Sequence, residues 1–337
     1  MKRELKTIVI SGAHSSVGKT TLAKGLCQII PDALHIKIGR GKRNVDKEDI
    51  LYPSGTTFEK IYAQHKYLKF LIIESNSILK EITPDCTIFL TGDSPPKPSA
   101  IEAMEKADVI RGKKVDESTI KRLTQSLDLP ETVIRKVAWL SGARPSPASA
   151  IILCGGKSKR MGTDKALLEI DGTSMIKRLY SFLSPLFDQV IVSVGFDANL
   201  SLPEIKVVKD IEREQGPLMG IYSALRASVT SINFVIACDI PEINVTLLYK
   251  LLAGSEDNEI AVPSFTEGQY EPLFAVYKKS VTNVAKKILD MHKRKVASLY
   301  PECKTAVLPV PDNSWYINLN TPGDYHNYLK NIQKVTG

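Results

Sequence analysis

Short runs of consecutive apolar residues, separated by helix-like segments, recur through both halves of this 337-residue chain. Strands that are apolar at every position are typically buried on both faces, as in parallel sheets that are covered by helices. The pattern predicts strands at 7–10, 33–38, 70–73, 87–90, 151–153, 190–194, 205–208, 234–237 and 274–277. It predicts helices at 19–30, 99–107, 174–186, 217–228, 244–252 and 280–291. We therefore expect an α/β fold with mostly parallel sheets.

The length suggests two domains, because a domain takes about 150 residues. A segment with two prolines, a glycine and small polar residues lies near the middle, at 141–149. Such a segment continues neither a helix nor a central strand. We predict two α/β domains in series: residues 1–140, a linker at 141–149, and residues 150–337.

The composition excludes several classes of protein. Hydrophobic residues make up 43% and charged residues 24%, which is ordinary for a globular chain and excludes disordered and fibrous proteins. No apolar run is long enough for a membrane span, and no secretory signal is recognisable at the start. The five cysteines are scattered, without a Cys-x-x-Cys pair. We therefore expect reduced thiols and a cytoplasmic location.

The net charge of +8 fits either nucleic acid or nucleotide phosphates as partners. The chain shows no interleaving of aromatic with basic residues and no helix-turn-helix pattern, so we predict no nucleic-acid partner. For the reasons given above we also predict no membrane partner.

A first phosphate-binding loop is predicted between strand 7–10 and helix 19–30. It runs from Ala13 through four residues to Gly18, Lys19 and Thr20. Small residues let backbone N–H groups converge on phosphate oxygens, and the helix N-terminus adds its dipole. Lys19 is expected to reach the β and γ phosphates, and Thr20 to face Mg²⁺. Glu74, at the end of a later strand, is either an indirect magnesium ligand or a solvated strand-end charge.

A second glycine-rich loop follows strand 151–153. Gly155 and Gly156 allow bare backbone to approach a nucleotide, and Ser158 follows them. Arg160 and Lys165 flank Gly162 and could converge on one triphosphate. Fixed cations there would offset the negative charge that develops during transfer at the α-phosphorus. The spacing differs from that of the first loop, since no Gly-Lys-Thr opens a helix.

Other polar residues of the second half lie where α/β sheets bind ligands. Asp239 follows the apolar strand 234–237, and a carboxylate at that position can hold Mg²⁺. Pro217 suits the first turn of a helix whose apolar stripe is Leu218, Ile221 and Leu225. Asn318 and Asn320 lie two residues apart on an extended segment, where they either contact a substrate or cap a turn.

The second half resembles the molybdenum cofactor guanylyltransferase (MobA) family. The resemblance rests on the glycine loop at 153–168, on Val208-Lys-Asp210, on Gly216-Pro217-Leu218-Met219-Gly220, on Cys238-Asp239-Ile-Pro241 and on Asn318-Leu-Asn320-Thr-Pro. It implies a Rossmann-like nucleotidyltransferase domain that transfers GMP from Mg-GTP to molybdenum-molybdopterin. The implied partners are GTP and molybdopterin, with molybdenum-insertion and acceptor molybdoenzymes as protein partners.

The same resemblance assigns roles to individual residues. It implies Arg160, Lys165 and Asp239 as catalytic residues, Asp239 as the Mg²⁺ ligand, and Asn318 and Asn320 as molybdopterin-binding residues. The implied nucleotide-binding residues are Leu153, Cys154, Gly155, Gly156, Ser158, Lys165, Ser193, Asp210, Gly216 and Asp239.

The first half resembles the GTP-binding accessory protein of molybdenum cofactor biosynthesis (MobB). The resemblance is carried by Ser11–Leu22, by Lys37 and by Glu74, and it implies a P-loop NTPase-like domain. Two alternatives to the guanylyltransferase stay open at this point. One is a nucleotidyltransferase that uses CTP or a sugar phosphate, and the other is a GTP-dependent carrier or adaptor.

Overall fold

The structure is a computed structural model that describes residues 5–39, 50–155, 168–200 and 202–336. The chain divides into two compact units, Met1–Ser146 (unit 1) and Pro147–Gly337 (unit 2). Each unit is an α/β structure built around its own sheet, as the apolar runs predict.

Unit 1 contains a six-stranded sheet in the order β3-β2-β4-β1-β5-β6, and every pairing in it is parallel. Its strands are β1 (Lys6–Gly12), β2 (Ala33–Ile38), β3 (Ile50–Tyr52), β4 (Phe70–Glu74), β5 (Cys86–Leu90) and β6 (Val109–Ile110). All residues of β4 and β5 are buried. This explains why the sequence reads as continuous apolar runs rather than as an alternating pattern.

The helices of unit 1 are α1 (Lys19–Ile29), α2 (Phe58–His65), α3 (Pro98–Glu105), α4 (Glu117–Leu127) and α5 (Glu131–Leu140). Helix α1 buries Leu22, Ala23 and Leu26 in a core with β1, β4 and β5. Its N-terminus therefore lies at the carboxyl end of β1, where the first predicted phosphate loop connects the two elements.

Unit 2 contains an eight-stranded sheet in the order β11-β10-β7-β12-β15-β13-β14, with β16 also paired to β13. Its strands are β7 (Ala148–Cys154), β10 (Gln189–Val194), β11 (Lys206–Lys209), β12 (Ile232–Ala237), β13 (Ile260–Thr266), β14 (Gln269–Tyr270), β15 (Phe274–Lys278) and β16 (Thr305–Pro309). The four strands from β11 to β12 are parallel, whereas β15 runs antiparallel to both β12 and β13. A separate hairpin pairs β8 (Glu169–Ile170) with β9 (Thr173–Ser174).

The helices of unit 2 are α6 (Met175–Leu183), α7 (Pro217–Ala227), α8 (Val245–Gly254), α9 (Val281–Asp290) and α10 (Pro322–Thr336). Helix α7 begins with Pro217 at its first turn, as predicted. Its apolar stripe is wider than predicted, because every residue from Leu218 to Leu225 is buried. The helix is packed on one side by β7, β10 and β11 and on another by α9, which leaves it little exposed surface.

The predicted linker at 141–149 contains few residues outside regular packing. Ala143 is fully buried, and the backbone around Arg144 exchanges hydrogen bonds with Lys113 and Val115 in unit 1. Strand β7 then begins at Ala148. The division between the compact units falls between Ser146 and Pro147, inside the predicted segment. The functional independence of the two halves stays a prediction.

The structure bears on two features that the sequence argues against, membrane-spanning helices and disulfide bonds. Among the described residues, none of the helices combines the length and the apolar character that spanning a bilayer requires. All five cysteines are described, and none forms a disulfide.

Candidate functional site

The carboxyl ends of four parallel strands meet at one edge of the unit 2 sheet. Gly155 follows β7, Gly195 follows β10, Asp210 follows β11, and Cys238-Asp239 follow β12. The chain leaves β7 towards β10 and β11 and then crosses to β12 on the other side of β7. Such a change of direction opens a crevice at the carboxyl ends of the strands, and α/β sheets bind ligands there.

Three of the predicted nucleotide-binding residues converge on Gly220 of α7. A Cβ atom at Gly220 would lie 3.2 Å from Cδ2 of Leu153, 3.4 Å from Oγ of Ser193 and 3.5 Å from Oδ1 of Asp210. Oγ of Ser193 also donates a hydrogen bond of 3.2 Å to the carbonyl oxygen of Gly220. Gly220 belongs to the Gly-Pro-Leu-Met-Gly stretch, but the sequence alone gave no reason to include it among the site residues.

Asp210 is held at this position through its backbone, because its N–H donates to the carbonyl oxygen of Val194 at 2.9 Å. Burial raises the pKa of the Asp210 carboxyl to about 6. The group therefore exchanges its proton close to neutral pH, and as a carboxylate it accepts hydrogen bonds from ligand N–H or O–H groups.

Gly216 lies at the N-terminus of α7 with φ 73° and ψ −172°, a conformation that non-glycine residues rarely adopt. The first backbone N–H groups of a helix have no partner within the helix, and they carry the positive end of its dipole. The backbone of Arg294 lies close by, since a Cβ at Gly216 would be 3.6 Å from its carbonyl oxygen. The start of α7 is thus a suitable contact for an anion.

Asp239 is connected both to β7 and to the segment that contains the two predicted asparagines. The N–H of Cys238 donates to the carbonyl oxygen of Leu153, and the N–H of Leu319 donates to the carbonyl oxygen of Asp239, each at 2.9 Å. The structure therefore brings Asn318 and Asp239, which are far apart in sequence, to the same edge of the sheet.

The prediction that Asn318 and Asn320 lie on an extended segment is wrong. The N–H of Asn320 donates to the carbonyl oxygen of Asn318 at 3.0 Å, which closes a three-residue turn. The turn forms because Leu319 is fully buried in a small core with Ile170, Met175 and Tyr328. Asn318 is consequently half-buried, while Asn320 is exposed.

Sequence reasoning missed Glu271 and Tyr316, which lie at the same edge of the sheet as Asp239. The Tyr316 hydroxyl donates to Oε2 of Glu271 at 2.5 Å, and the N–H of Leu273 donates to Oε1 at 2.9 Å. Burial raises the pKa of Glu271, hydrogen bonds from Tyr316 and Leu273 oppose this, and the charge of Asp239 adds to it. Glu271 precedes a strand, and only the antiparallel direction of β15 places it at the carboxyl edge of the parallel strands.

The residues around Asp239 fit a divalent cation that arrives with phosphate ligands. Mg²⁺ commonly binds through one or two carboxylates and completes its octahedral shell with water and substrate phosphates. Asp239 supplies such a carboxylate, with Oδ1 buried. No cluster of three His, Cys, Asp or Glu side chains that could hold a metal without substrate occurs among the described residues.

Part of the predicted site cannot be placed. Gly156, Ser158, Arg160 and Lys165 lie outside the described residues. Gly155, just before them, is exposed, and a Cβ there would be 3.7 Å from the backbone nitrogen of Gly195. Cys154, the last residue of β7, is half-buried.

The loop of unit 1 between β1 and α1 has the geometry of an anion-binding turn. Gly18 has φ 88°, in the left-handed region, immediately before α1 begins at Lys19. Nζ of Lys19 donates to the carbonyl oxygen of His14 at 2.7 Å, and Thr20 donates through Oγ1 to Oε2 of Glu74 at 2.6 Å. Ala13 is buried at the base of the loop.

Glu74 connects this loop to strand β2. Nζ of Lys37 lies 3.0 Å from Oε1 of Glu74, and Nε2 of His35 lies 3.7 Å from Oε2. Burial alone would raise the pKa of Glu74, but His35 at 3.7 Å, the hydrogen bond from Thr20 and the ion pair with Lys37 outweigh it and lower the pKa to about 2. Burial lowers the pKa of Lys19, although the charge of Glu74 opposes the shift.

A cavity of about 300 Å³ lies over this loop. Its wall contains small residues of the loop together with four charged side chains, Lys19, Lys37, Glu74 and Lys97. Three lysines and an ionised carboxylate beside loop backbone form a site that could accept a phosphate group together with a divalent cation.

Comparisons with known proteins identify relatives of the second half. The family described as the MobA-like NTP transferase domain matches residues 150–304. A probable molybdenum cofactor guanylyltransferase of Carboxydothermus hydrogenoformans is 35% identical over 188 residues, which cover 53% of this chain and 93% of that protein. The probable guanylyltransferase of Pelotomaculum thermopropionicum is 36% identical over 185 residues, covering 52% of this chain and 89% of that protein.

Similar solved structures include the crystal structure of molybdopterin-guanine dinucleotide biosynthesis protein A from Archaeoglobus fulgidus. It is 21% identical and covers 55% of this chain and 99% of its own, with a TM-score of 0.47.

Proposed function

This chain belongs to the MobA-like molybdenum cofactor guanylyltransferase family, and we propose on that basis that unit 2 transfers GMP from Mg-GTP to molybdenum-molybdopterin. The products of this reaction are the guanine dinucleotide form of the cofactor and pyrophosphate. The observation that carries the proposal is the convergence of Leu153, Ser193, Asp210 and Gly220 at the edge of the sheet that also holds Asp239.

The nucleoside of GTP is proposed to bind between the end of β7 and the start of α7. The absence of a side chain at Gly220 lets α7 pack closely against Ser193 and Asp210, which places both residues beside the proposed nucleoside position. The Asp210 carboxylate is an acceptor for N–H groups of guanine or for ribose hydroxyls. A half-buried acceptor of this kind discriminates strongly between bases, because a base that lacks the matching donor leaves the carboxylate without a hydrogen bond.

The triphosphate is proposed to contact the backbone at Gly155 and the N-terminus of α7 at Gly216. Gly156, Ser158, Arg160 and Lys165, which lie outside the described residues, join this group through the family resemblance. The two cations among them would offset the charge that develops on the α-phosphorus and on the departing pyrophosphate.

The acceptor is proposed to approach from the side of Asp239, near Asn318 and Asn320. Its phosphate monoester is anionic near neutral pH, so the attack on the α-phosphorus requires no general base. The chain contributes alignment of the two substrates and fixed charges. Mg²⁺ held by Asp239 supplies neutralisation of the phosphate charge when it is bound.

The test is mass analysis of the product formed from molybdopterin and GTP. We expect a species heavier than molybdopterin by one GMP residue, together with one pyrophosphate for each product molecule. A parallel series with CTP, ATP and sugar phosphates separates this activity from that of other nucleotidyltransferases. Formation of a cytidylyl product, or of no dinucleotide at all, contradicts the proposal.

Unit 1 is proposed to bind a nucleoside triphosphate with its cation, as the MobB-like resemblance implies. The support is the cavity at the loop, which Lys19, Lys37 and Glu74 line, while Thr20 donates a hydrogen bond to Glu74. Lys19→Ala should weaken GTP binding by the full chain without abolishing dinucleotide formation by unit 2. Equal GTP stoichiometry in the native chain and in this variant contradicts a second nucleotide site.

The protein partners are proposed from the same chemistry. A cofactor bearing a new nucleotide must be delivered to enzymes that bind it, so acceptor molybdoenzymes, and the enzymes that insert molybdenum before transfer, are the expected partners. Pull-down of the full chain with a purified acceptor enzyme, with and without GTP and molybdopterin, tests this. A lack of substrate-dependent association contradicts it.

A further inference from the structure

The phosphate loop of unit 1 (residues 12–18) is held at its start by the side chain of Asn76. The Gly12 N–H donates to Oδ1 of Asn76, and Nδ2 of Asn76 donates to the carbonyl oxygen of Gly12, each at 3.0 Å. Asn76 follows β4, which pairs with β1, so its amide continues the contact between these strands beyond the end of β4. The two hydrogen bonds together fix the backbone direction at Gly12.

The other end of the loop is held by Arg111. Nη1 of Arg111 donates to the carbonyl oxygen of Val17 at 3.0 Å. Arg111 follows β6, and its own N–H donates to the carbonyl oxygen of Phe89 in β5 at 3.0 Å. The C=O and N–H of a trans peptide point in opposite directions, so this contact also directs the N–H of Gly18 away from Arg111. Arg111 therefore sets the orientation of the last peptide before α1.

The two ends of the loop touch each other. A Cβ atom at Gly12 would lie 2.6 Å from Cγ2 of Val17, so no side chain fits between them. Strand β4 pairs with β1 on one side, whereas β5 and then β6 follow on the other. Asn76 and Arg111 therefore hold the loop from opposite sides of β1, and the loss of either contact should loosen the whole loop.

The loop is thus fixed in the absence of a nucleotide. Residues 12–15 and Asn76 line the cavity described above, and Nζ of Lys19 crosses to the carbonyl oxygen of His14 at 2.7 Å. A loop of this kind binds a phosphate through backbone N–H groups that must all face the anion. Fixing these groups beforehand lowers the entropy that binding would otherwise cost.

We propose that Asn76 and Arg111 are positioning residues that hold the phosphate loop of unit 1 in its phosphate-binding conformation before a nucleotide arrives. The inference rests on the proposed nucleotide binding by unit 1. Both side chains act through the loop backbone, and the loop contacts phosphates rather than the base. Their loss should therefore weaken the binding of GTP and of inorganic tripolyphosphate by the same factor.

The experiment follows hydrogen exchange of a peptide spanning 11–22 by mass spectrometry in the full chain. This peptide reports on unit 1 alone, although unit 2 is also proposed to bind GTP. Asn76→Leu and Arg111→Met remove the hydrogen bonds and keep much of the side-chain volume. In each variant we expect faster exchange of the peptide without ligand. The concentration of GTP or tripolyphosphate that gives half-maximal protection should rise about 10-fold, the effect of one lost hydrogen bond.

Two further variants separate this role from a loss of charge. Arg122→Met removes the same charge from unit 1, but Arg122 pairs with Asp108 and not with the loop, so this variant should behave as the native chain does. Arg111→Lys keeps one donor for the carbonyl oxygen of Val17 and should restore most of the affinity. Because Asn76 and Arg111 follow different strands, either one tests the proposal if the variant of the other fails to fold.

Three results would overturn the positioning role. If Asn76→Leu and Arg111→Met need no more GTP for protection than Arg122→Met, the role is overturned while nucleotide binding by unit 1 stands. If their affinity falls but the ligand-free loop exchanges at the native rate, these side chains contact the phosphates directly and do not position the loop. If neither GTP nor tripolyphosphate protects the peptide in the native chain, the role and the proposed nucleotide binding by unit 1 are both overturned.

Discussion

Oγ of Ser193 donates a 3.2 Å hydrogen bond to the carbonyl oxygen of Gly220, which joins the end of β10 to the first turns of α7. The helix backbone approaches the strands here more closely than a side chain at position 220 would allow. The proposed nucleoside pocket therefore depends on a residue with no side chain of its own.

Gly220→Ala should impair GTP binding more than folding. The added Cβ would lie 3.2 Å from Leu153 and 3.5 Å from Asp210, so the helix or the strand ends must shift by a few tenths of an ångström. Overpacking of this kind costs about 1 kcal/mol, and the same shift should raise the KM for GTP about fivefold. Steady-state kinetics and thermal unfolding check both effects.

The matched control for this variant is Gly254→Ala. A Cβ at Gly254 would also meet a neighbouring side chain, since it would lie 3.4 Å from Leu308. Gly254 lies at the end of α8, away from the carboxyl edge of the parallel strands. Equal KM values for GTP in the two alanine variants would show that Gly220 has no part in the nucleoside pocket.

Asp210 should make the stability of unit 2 fall as the pH rises from about 4 to about 6. Its folded pKa of about 6 lies above that of an unfolded aspartate, so the folded state binds more protons in this window. Because the side chain is partly exposed, we expect a loss of only about 1 kcal/mol across the window. Asp210→Asn should remove this dependence of the unfolding free energy on pH, which urea unfolding at several pH values measures. If the variant shows the same dependence between about pH 4 and about pH 6, another group is responsible for it.

The same titration gives a prediction for binding. If the Asp210 carboxylate accepts hydrogen bonds from GTP, the affinity of unit 2 for GTP should rise as the pH increases through about 6, where the group loses its proton. In Asp210→Asn the affinity should be lower and independent of pH in this range. Calorimetric titration in the Lys19→Ala chain gives the values for unit 2 alone.

The central strands of both sheets could be predicted from sequence because they are buried on both faces. The apolar runs at 7–10, 70–73, 151–153 and 234–237 all lie within observed strands. The same burial explains why Asp239 could be recognised, since it follows the fully buried β12. Asp210 follows the partly exposed β11 and was identified only through the family resemblance. A sharp change from apolar to acidic residues at a strand end needs no tertiary information to be read.

The features that were missed depend on partners far away in sequence. Strand β13 contains Pro263, which argues against a central strand, and its neighbours β15 and β16 are both later in the chain. Without knowledge of that pairing, the sequence predicts only that Glu271 lies in a loop. The tight turn at Asn318–Asn320 forms because Leu319 is drawn into a core with α6 and α10, which no local pattern reveals.

One omission had a local signal. Helix α4 begins after Asp116, whose Oδ1 accepts the N–H of Thr119 at 2.7 Å as an N-cap. Ile120, Leu123 and Leu127 then form its buried stripe at helical spacing. The cap and the stripe are both readable from the sequence, so this helix could have been predicted.

Glu74→Gln should destabilise unit 1 near neutral pH. The ionised carboxylate is held by Thr20, Lys37 and His35, and its pKa of about 2 lies below that of an unfolded glutamate. A depressed pKa contributes stability above about pH 4.5 that is lost as the pH falls towards about 2. We expect the variant to lose about 2 kcal/mol at pH 7 and to differ less from the native chain as the pH falls.

The control for this variant is Glu102→Gln. Glu102 pairs with Lys106 at 2.7 Å but is half exposed, so its loss should change stability little. Urea unfolding measures the two variants, followed by fluorescence of Trp139, which is buried in unit 1, in chains that carry Trp315→Phe to remove the tryptophan of unit 2. If both lose the same stability, the network around Glu74 contributes no more than an exposed ion pair.

Asp239→Asn should abolish dinucleotide formation while leaving the fold intact. The substitution keeps the shape of the side chain and the backbone hydrogen bond from Leu319, but it removes the negative charge proposed to hold the cation. Loss of electrostatic stabilisation at a phosphoryl group lowers kcat about 100-fold or more. Pyrophosphate release with GTP and molybdopterin measures the effect, and Lys165→Ala should lower it in the same way if Lys165 binds the triphosphate.

The control for a lost surface charge is Asp290→Asn, which alters an exposed carboxylate paired with Lys286. Since no other carboxylate was assigned to the cation, pyrophosphate release by Asp239→Asn at the rate of this control would remove Asp239 from the reaction.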